Sequence, residues 1–364
     1  MLWNDVDAAS LPKVSLHDHL DGGLRAQTIV ELADERDLDL PVDDGPALAR
    51  WMHESAASGS LVDYLKTFDL TVSVMQTAAA LTRVAHEYVL DLVDDGVVHG
   101  ETRWAPEQHL AGGLTLDETV EAVQAGIEQG VDEARAAGRT IRVGQIVSAL
   151  RHNDRALEIA ELAVRHRDRG AVGFDIAGPE AGFPPSRHRV AFDYLADQLF
   201  PATVHAGEAD GPRSIRGALI DGRALRLGHG VRIAEDLRLD REDDETSLVT
   251  VGPVARWVRD RQIPLELSPQ SNLHTGAIAA WGTTTADHPF DLLYQLGFRV
   301  TVNTDNRLMS DTTLSKELVL LTEAFDYDLD DLLAFQLNAA ESAFLPVEDR
   351  EELAAVISAG FETV

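Results

Sequence analysis

The 364-residue sequence predicts an α/β protein: a single (β/α)8 TIM-type barrel with extra helices between its first and second strands. Three observations carry that expectation. Eight short β-rich runs alternate with amphipathic, helix-spaced stretches. No fixed-period repeat, low-complexity segment or linker divides the chain. Histidines and carboxylates recur at the C-terminal ends of the runs, which a closed barrel gathers at one mouth.

The first run, Val14-Ser15-Leu16-His17-Asp18-His19-Leu20-Asp21-Gly22, is a short apolar run carrying two histidines two positions apart. Alternation along a strand puts His17 and His19 on one face. Two such imidazoles either converge on a metal ion, for which histidine is the commonest ligand, or sit on the wet face of a strand. Residues 25–37 have helical spacing, with Ile29, Val30, Leu32 and Ala33 on one apolar face. Residues 39–60 are rich in Pro, Gly, Asp and Ser and are expected to be an irregular excursion. Residues 61–74 return to helical spacing through Leu61, Tyr64, Leu65 and Phe68. That stripe is either core packing or, because it follows a long excursion, an apolar lid over a pocket. The chain is thus expected to be one domain over 1–364, with 39–75 a lid or insertion over the active site.

The remaining β-runs are 97–105, 141–150, 171–177, 202–206, 225–229, 264–268 and 299–304, and amphipathic stretches such as 116–137, 154–167 and 186–198 lie between them. Eight runs suit a closed barrel. An open doubly wound sheet is the alternative, but no Gly-rich phosphate loop follows the first run as a dinucleotide fold requires. The acidic piece 235–245 reads as a solvated loop or helix end.

Composition narrows the partners. Hydrophobic content of 45% and charged content of 26% are ordinary for a globular protein, but the net charge of -31 is not. It argues against nucleic acid as a partner, since gripping a phosphate backbone takes a concentrated basic surface. Only Lys13, Lys66 and Lys316 are lysine, a bias that salt adaptation or genome base composition would equally produce. With no cysteine, any metal must be held by nitrogen and oxygen. The first residues, Met1-Leu2-Trp3-Asn4-Asp5, lack the basic start and apolar run of a signal peptide, and no apolar stretch is long enough to span a bilayer. A cytoplasmic enzyme with no membrane partner is expected. Nothing in the sequence sets an oligomeric state.

The strand ends hold the chemistry. They supply His17, His19 and Asp21; Gly178; His205 and Glu208; His229; Ser268-Pro269-Gln270-Ser271-Asn272; and Asp305 with Asn306. Three histidines and an aspartate make a plausible nitrogen/oxygen set for a divalent ion such as zinc, with a position left for water. The ion would lower the pKa of that water, and a carboxyl and an imidazole nearby could then move protons. Barrels that hold two metals often bridge them with a modified lysine on the fourth strand. That strand here, Phe174-Asp175-Ile176-Ala177-Gly178, has none, so one ion per chain is expected.

His17-Asp18-His19-Leu20-Asp21-Gly22, His205-Ala206-Gly207-Glu208, Leu227-Gly228-His229-Gly230 and Asn303-Thr304-Asp305 follow one another in an order and spacing that resembles the adenosine deaminase family of the metal-dependent amidohydrolases. The likeness runs from the first strand to the eighth. It implies zinc ligation by His17, His19, His205 and Asp305. It implies that Glu208 donates a proton to purine N1. It also implies that His229 orients the attacking water and helps take its proton, with Asp305 hydrogen-bonding the same water. By the same resemblance Asp21 meets the ribose 5′-hydroxyl, Gly178 meets purine N3 through its backbone, and Leu61, Tyr64, Leu65 and Phe68 cover the ribose side. The implied reaction is hydrolytic deamination of adenosine, and of 2′-deoxyadenosine, to inosine and ammonia in purine salvage.

The family commonly shows two consecutive aspartates at the end of strand 8, the second facing purine N7. Here that position is Asn306, whose amide can donate to N7 without needing a proton. Adenine or aminodeoxyfutalosine remains an alternative substrate within the same chemistry. Other classes are a phosphoester or amide hydrolase and a non-catalytic relative. The Glu208/His229 pair argues against the first, and the complete ligand set against the second.

Overall fold

The computed structural model describes residues 2–3, 6–242 and 247–363. Strands β1 (Lys13–His19), β2 (Val97–Trp104), β3 (Arg142–Leu150) and β4 (Ala171–Ala177) form one parallel sheet in that order. Strands β5 (Thr203–Ala206), β6 (Arg226–His229), β7 (Leu265–Leu267) and β8 (Val300–Val302) form another. One parallel bridge joins the sheets at each seam. At the first, Phe174 bridges Ala202, and its N–H donates to Pro201 O at 3.0 Å. At the second, Asp18 bridges Asp305, with His19 N–H donating to Asp305 O at 2.7 Å and Asp305 N–H donating to His17 O at 2.9 Å. The ring therefore closes as a barrel. Its strand order is sequential throughout, which excludes the doubly wound alternative, where the order reverses.

Helices follow the strands: α1 (Ala26–Glu35), α2 (Gly45–Ala56), α3 (Leu61–Tyr64), α4 (Phe68–Val74), α5 (Ala78–Asp94), α6 (Leu116–Ala136), α7 (Ala156–Arg165) and α8 (Arg189–Asp197), and α1, α3, α4, α6, α7 and α8 fall where the apolar spacing predicts. α6 starts at a capping box, Thr115 with Glu118, which satisfies two of the backbone donors that a helix start leaves free. Buried strand residues such as Val14, Phe174, Ile176, Val204 and Leu227 share a core with the apolar faces of the helices, Ile159, Leu162, Phe192 and Leu195 among them. No helix among the described residues is long and apolar enough to cross a membrane.

Two expectations are corrected. Residues 39–60 are not wholly irregular, because α2 occupies 45–56: the Asp44 side chain accepts from Ala47 N–H and Pro46 sits in the first turn. The acidic piece 235–245, expected as a solvated loop or helix end, is a helix end only at 235–236. A 3₁₀ turn ends at Asp236, and Leu237–Glu242 pairs antiparallel with Ser247–Val251 as a hairpin between β6 and β7. The part of that piece at 243–245 lies outside the described residues. The helical stretch 61–74 is present, with a 3₁₀ turn at Leu65–Thr67 between α3 and α4.

Candidate active site

Every strand-end residue singled out above lies at the C-terminal mouth of the barrel. One nitrogen each from His17, His19 and His205 and one oxygen of Asp305 lie within 4.8 Å of one another, all buried. His17 Nε2 and His19 Nε2 are 3.2 and 3.4 Å from Asp305 Oδ1, and His19 Nε2 is 3.3 Å from His205 Nε2. Glu208, His229 and Asp305 form a second such group: His229 Nε2 is 3.6 Å from Glu208 Oε2 and 4.0 Å from Asp305 Oδ2. The backbone is shaped to present these groups. His229 and Asp305 both have left-handed φ, +63° and +59°, which costs an L residue about 1–2 kcal/mol and is least unfavourable for His, Asn and Asp. Gly228 leaves room for the cluster, since a Cβ there would lie 3.0 Å from His205 Cα and 3.3 Å from His17 Cε1.

Below the cluster the barrel is filled by an ion lattice. Glu266 Oε2 accepts from His17 Nδ1 at 3.0 Å and from Arg103 Nη2 at 2.7 Å; its Oε1 accepts from Arg226 Nε at 2.6 Å and Thr203 Oγ1 at 3.2 Å. Arg226 continues to Glu101 at 2.6 Å, and Arg103 to Asp175 at 3.2 Å. Asp175 Oδ2 lies 2.7 Å from His205 Nδ1. Burial alone would raise the Glu266 carboxyl, but Arg103 and Arg226 outweigh it and hold it well below the usual carboxylate range.

This arrangement tests whether a divalent cation fits. Glu266 and Asp175 hold the Nδ1 atoms of His17 and His205, which leaves each Nε2 as the metal-facing nitrogen, the usual outer arrangement around a ligated histidine. The lattice contains three carboxylates (Glu101, Asp175, Glu266) against two guanidinium groups (Arg103, Arg226), and Asp305 adds one more negative charge. The excess of two negative charges equals what a divalent ion brings. Burial lowers His19 and His205, keeping both neutral as ligands must be. Burial would lower His17 too, but Asp305 and Glu266 on either side raise it; a cation at Nε2 stands where that proton would. The residues fit the group.

The cluster opens into a cleft of about 380 Å³ lined by Asp21, Leu61, Tyr64, Leu65, Phe68, Gly178, Glu208, His229, Asp305 and Asn306, a size suited to a small ligand. All four stripe residues of 61–68 are among the residues that line this space. Burial, and after it the charges of Asp305 and Glu180, push the Glu208 carboxyl well above the usual range. Burial pushes Asp21 up to about 7. Asp21 Oδ1 and Glu208 Oε1 are buried and make no hydrogen bond within the chain, an unusual state for polar atoms that are not facing a ligand. A larger cleft of about 540 Å³ lies beside Arg25, Asp91 and Arg307, away from the histidine cluster.

Sequence reasoning placed Ser271 and Asn272 at a strand end but gave them no role, and it did not single out Glu180. Ser271 Oγ donates to Asp305 Oδ2 at 2.6 Å, and Asn272 Nδ2 lies 3.0 Å from His229 Nδ1. Glu180 accepts the backbone N–H groups of Gly207, Glu208, Ala209 and Asp210 at 2.7–3.1 Å, pinning the loop that carries Glu208. Gln270, whose contact the sequence does not reveal, bonds the ring of His274 at 3.0 Å. The one signal available was the presence of charged residues inside β-runs, at Glu101, Arg103, Asp175, Arg226 and Glu266.

Residues 12–359 match the family model described as adenosine deaminase. A protein of Mycobacteroides abscessus called adenosine deaminase is 54% identical over 95% of this chain and 93% of its own length. Adenosine deaminase 1 of Streptomyces coelicolor is 56% identical over 93% of this chain and 84% of its own. Among solved structures, the Arabidopsis ADAL protein complexed with IMP aligns with a TM-score of 0.80 at 25% identity, covering 98% of each chain.

Proposed function

The chain belongs to the adenosine deaminase family, and we propose from that membership and from its cleft that it converts adenosine and 2′-deoxyadenosine to inosine products and ammonia by hydrolysis. The observation that carries the reading is the convergence, in one cleft, of a three-histidine, one-aspartate cluster with a buried Glu208 raised toward its protonated form. Purine salvage in the cytoplasm is the setting we propose with it, on the strength of the substrate alone.

His17, His19, His205 and Asp305 would hold one zinc ion, which would supply Lewis acidity that makes water a nucleophile near neutral pH. The chain's own groups do the rest. Glu208, protonated, donates to purine N1 and makes C6 more electrophilic. Asp305 and His229 border the approach of water to C6, and Ser271 fixes the carboxylate of Asp305 in rotation. Water adds to C6, the 6-amino group leaves as ammonia, and the remaining oxygen becomes the 6-oxo group of inosine. Asp21, Gly178 and Asn306 all line the cleft; in this reading Asp21 would meet the ribose 5′-hydroxyl, Gly178 purine N3, and the Asn306 amide N7. Residues 39–75 act as the cover of this cleft within one domain, with Leu61, Tyr64, Leu65 and Phe68 as its inner face.

The test is the loss of adenosine ultraviolet absorbance with zinc-loaded protein, run beside adenine and aminodeoxyfutalosine. Rapid loss with adenosine and little with the others is expected. Turnover of another aminopurine in preference to adenosine would overturn the substrate assignment, and no turnover of any would overturn the reaction.

A further inference from the structure

The role of His229 depends on which nitrogen carries its proton, and a hydrogen-bond chain leading away from the cleft settles that question. The chain begins at a donor that cannot be reversed. Phe290 backbone N–H donates to His288 Nδ1 at 3.0 Å, so that nitrogen is an acceptor and the ring's proton is on Nε2. His288 Nε2 lies 3.2 Å from Asn272 Oδ1, and a protonated ring nitrogen donates to the amide oxygen. That contact orients the Asn272 amide and leaves its NH₂ group on the other side, 3.0 Å from His229 Nδ1. An NH₂ group can only donate. His229 Nδ1 is therefore an acceptor, and the proton of His229 is on Nε2.

We propose that Asn272 and His288 are positioning residues that fix His229 with its proton on Nε2, so that it donates a hydrogen bond to the oxygen adding to C6 and does not take a proton from it. The inference rests on the deaminase reading for the identity of that oxygen, but the tautomer itself does not.

Each link is protected from solvent: Asn272 is fully buried, and His288 and His229 are 3% and 1% exposed. Burial pushes His288 down to about 3, which keeps it neutral and its Nδ1 free to accept. The other side of His229 agrees with the assignment. Its Nε2 faces Asp305 Oδ2 at 4.0 Å, a carboxylate oxygen that attracts an N–H and would repel a bare lone pair. An imidazolium is excluded as well, because it would set an N–H of the ring against the NH₂ of Asn272. The family resemblance gives His229 a share in taking the proton of water. This network assigns it the opposite polarity, a preorganised donor to developing negative charge, and leaves Asp305 as the proton acceptor bordering the water.

The experiment is a neutron structure of the zinc-loaded, deuterium-exchanged protein, together with kinetics of Asn272→Asp and His288→Gln. Deuterium on His229 Nε2 and none on Nδ1 is expected; deuterium on Nδ1, or on both nitrogens, overturns the proposal. Asn272→Asp keeps the side-chain shape and the bond from His288 but offers an acceptor to His229 Nδ1, so the ring should turn its proton to Nδ1. With the Nε2 donor lost, kcat should fall on the order of 100-fold, the effect of deleting one such donor, with KM little changed. His288→Gln retains an N–H donor for Asn272 and should stay close to wild type, whereas His288→Leu should resemble Asn272→Asp. An Asn272→Asp enzyme with unchanged kcat overturns the proposal. The neutron map of the wild-type protein decides the tautomer even where a variant does not fold. It also does so where the protein turns over no aminopurine, so failure of the functional reading and failure of this one are told apart.

Discussion

Replacing Glu266 with glutamine tests whether the ion lattice beneath the mouth sets both stability and metal affinity. The change is nearly isosteric, but it removes one negative charge at the point where four donors meet: His17 Nδ1, Arg103 Nη2, Arg226 Nε and Thr203 Oγ1. An amide oxygen can face only one of the two donor pairs. The NH₂ group must face the other pair, donor against donor, in a site with no solvent exposure. Removing one partner of a buried pair costs about 3–5 kcal/mol, since the charges left behind are uncompensated. For a chain of this length about 2 °C of melting temperature goes with each kcal/mol, so the expected loss is about 6–10 °C.

The metal should suffer separately. The local excess of negative charge falls by one, and the Nδ1–H of His17 loses its carboxylate acceptor, an outer contact that typically contributes 10–100-fold in metal affinity. Thermal melts of zinc-loaded wild type and Glu266→Gln, with zinc affinity by chelator competition, read both effects. A melting temperature within about 2 °C of wild type, with unchanged zinc affinity, would refute the reasoning.

Three further outcomes are expected. Glu208→Gln keeps the shape of the cleft and its zinc but cannot deliver a proton to N1, so kcat should drop by about 10²–10⁴-fold with zinc content unchanged; activity near wild type would remove Glu208 from the chemistry. Asn306→Asp should be accepted sterically, because Gly22, where a Cβ would lie 1.9 Å from Asn306 Oδ1, already makes the room. It should turn over adenosine at least as well as wild type, and a collapse measured as kcat/KM would mean that this side chain reads another group. Glu317 is fully buried, and burial pushes it up from 4.5 to about 8. A carboxyl whose folded pKa lies above its unfolded one stabilises the fold below the lower value and loses that contribution as pH rises through the window between them. The melting temperature of wild type relative to Glu317→Gln should therefore decline steadily from pH 5 to 8, and a flat difference would sink the assignment.

The barrel and the cluster were legible because each has a local signature. Parallel strands alternate with helices at recognisable spacing, and His17-Asp18-His19 places two ligands on one face by strand geometry alone. What was missed depends on partners far apart in the chain. Arg103 and Glu266 are 163 residues apart, and a strand residue that faces the inside of a barrel has the same alternation as one that faces water. His288 sits in a loop 16 residues from Asn272, with nothing nearby to mark it. The helix at 45–56 had its signal in Asp44 and Pro46, hidden by the composition around it. The hairpin had one too: Leu237-Arg238-Leu239-Asp240 alternates with period two, but the acidic run that follows suggests a surface loop.

The left-handed backbone at His229 and Asp305 bears on how any mutational survey of this enzyme should be read. At those two positions every substitution is screened twice, once for what the side chain does and once for whether the residue tolerates that φ. A β-branched replacement would add backbone strain to the loss of the side chain, and a saturation library would score the two together. Asparagine is at home in that conformation and keeps a polar side chain of similar reach. His229→Asn and Asp305→Asn therefore separate the two causes, and replacements that resist that φ measure folding as much as function.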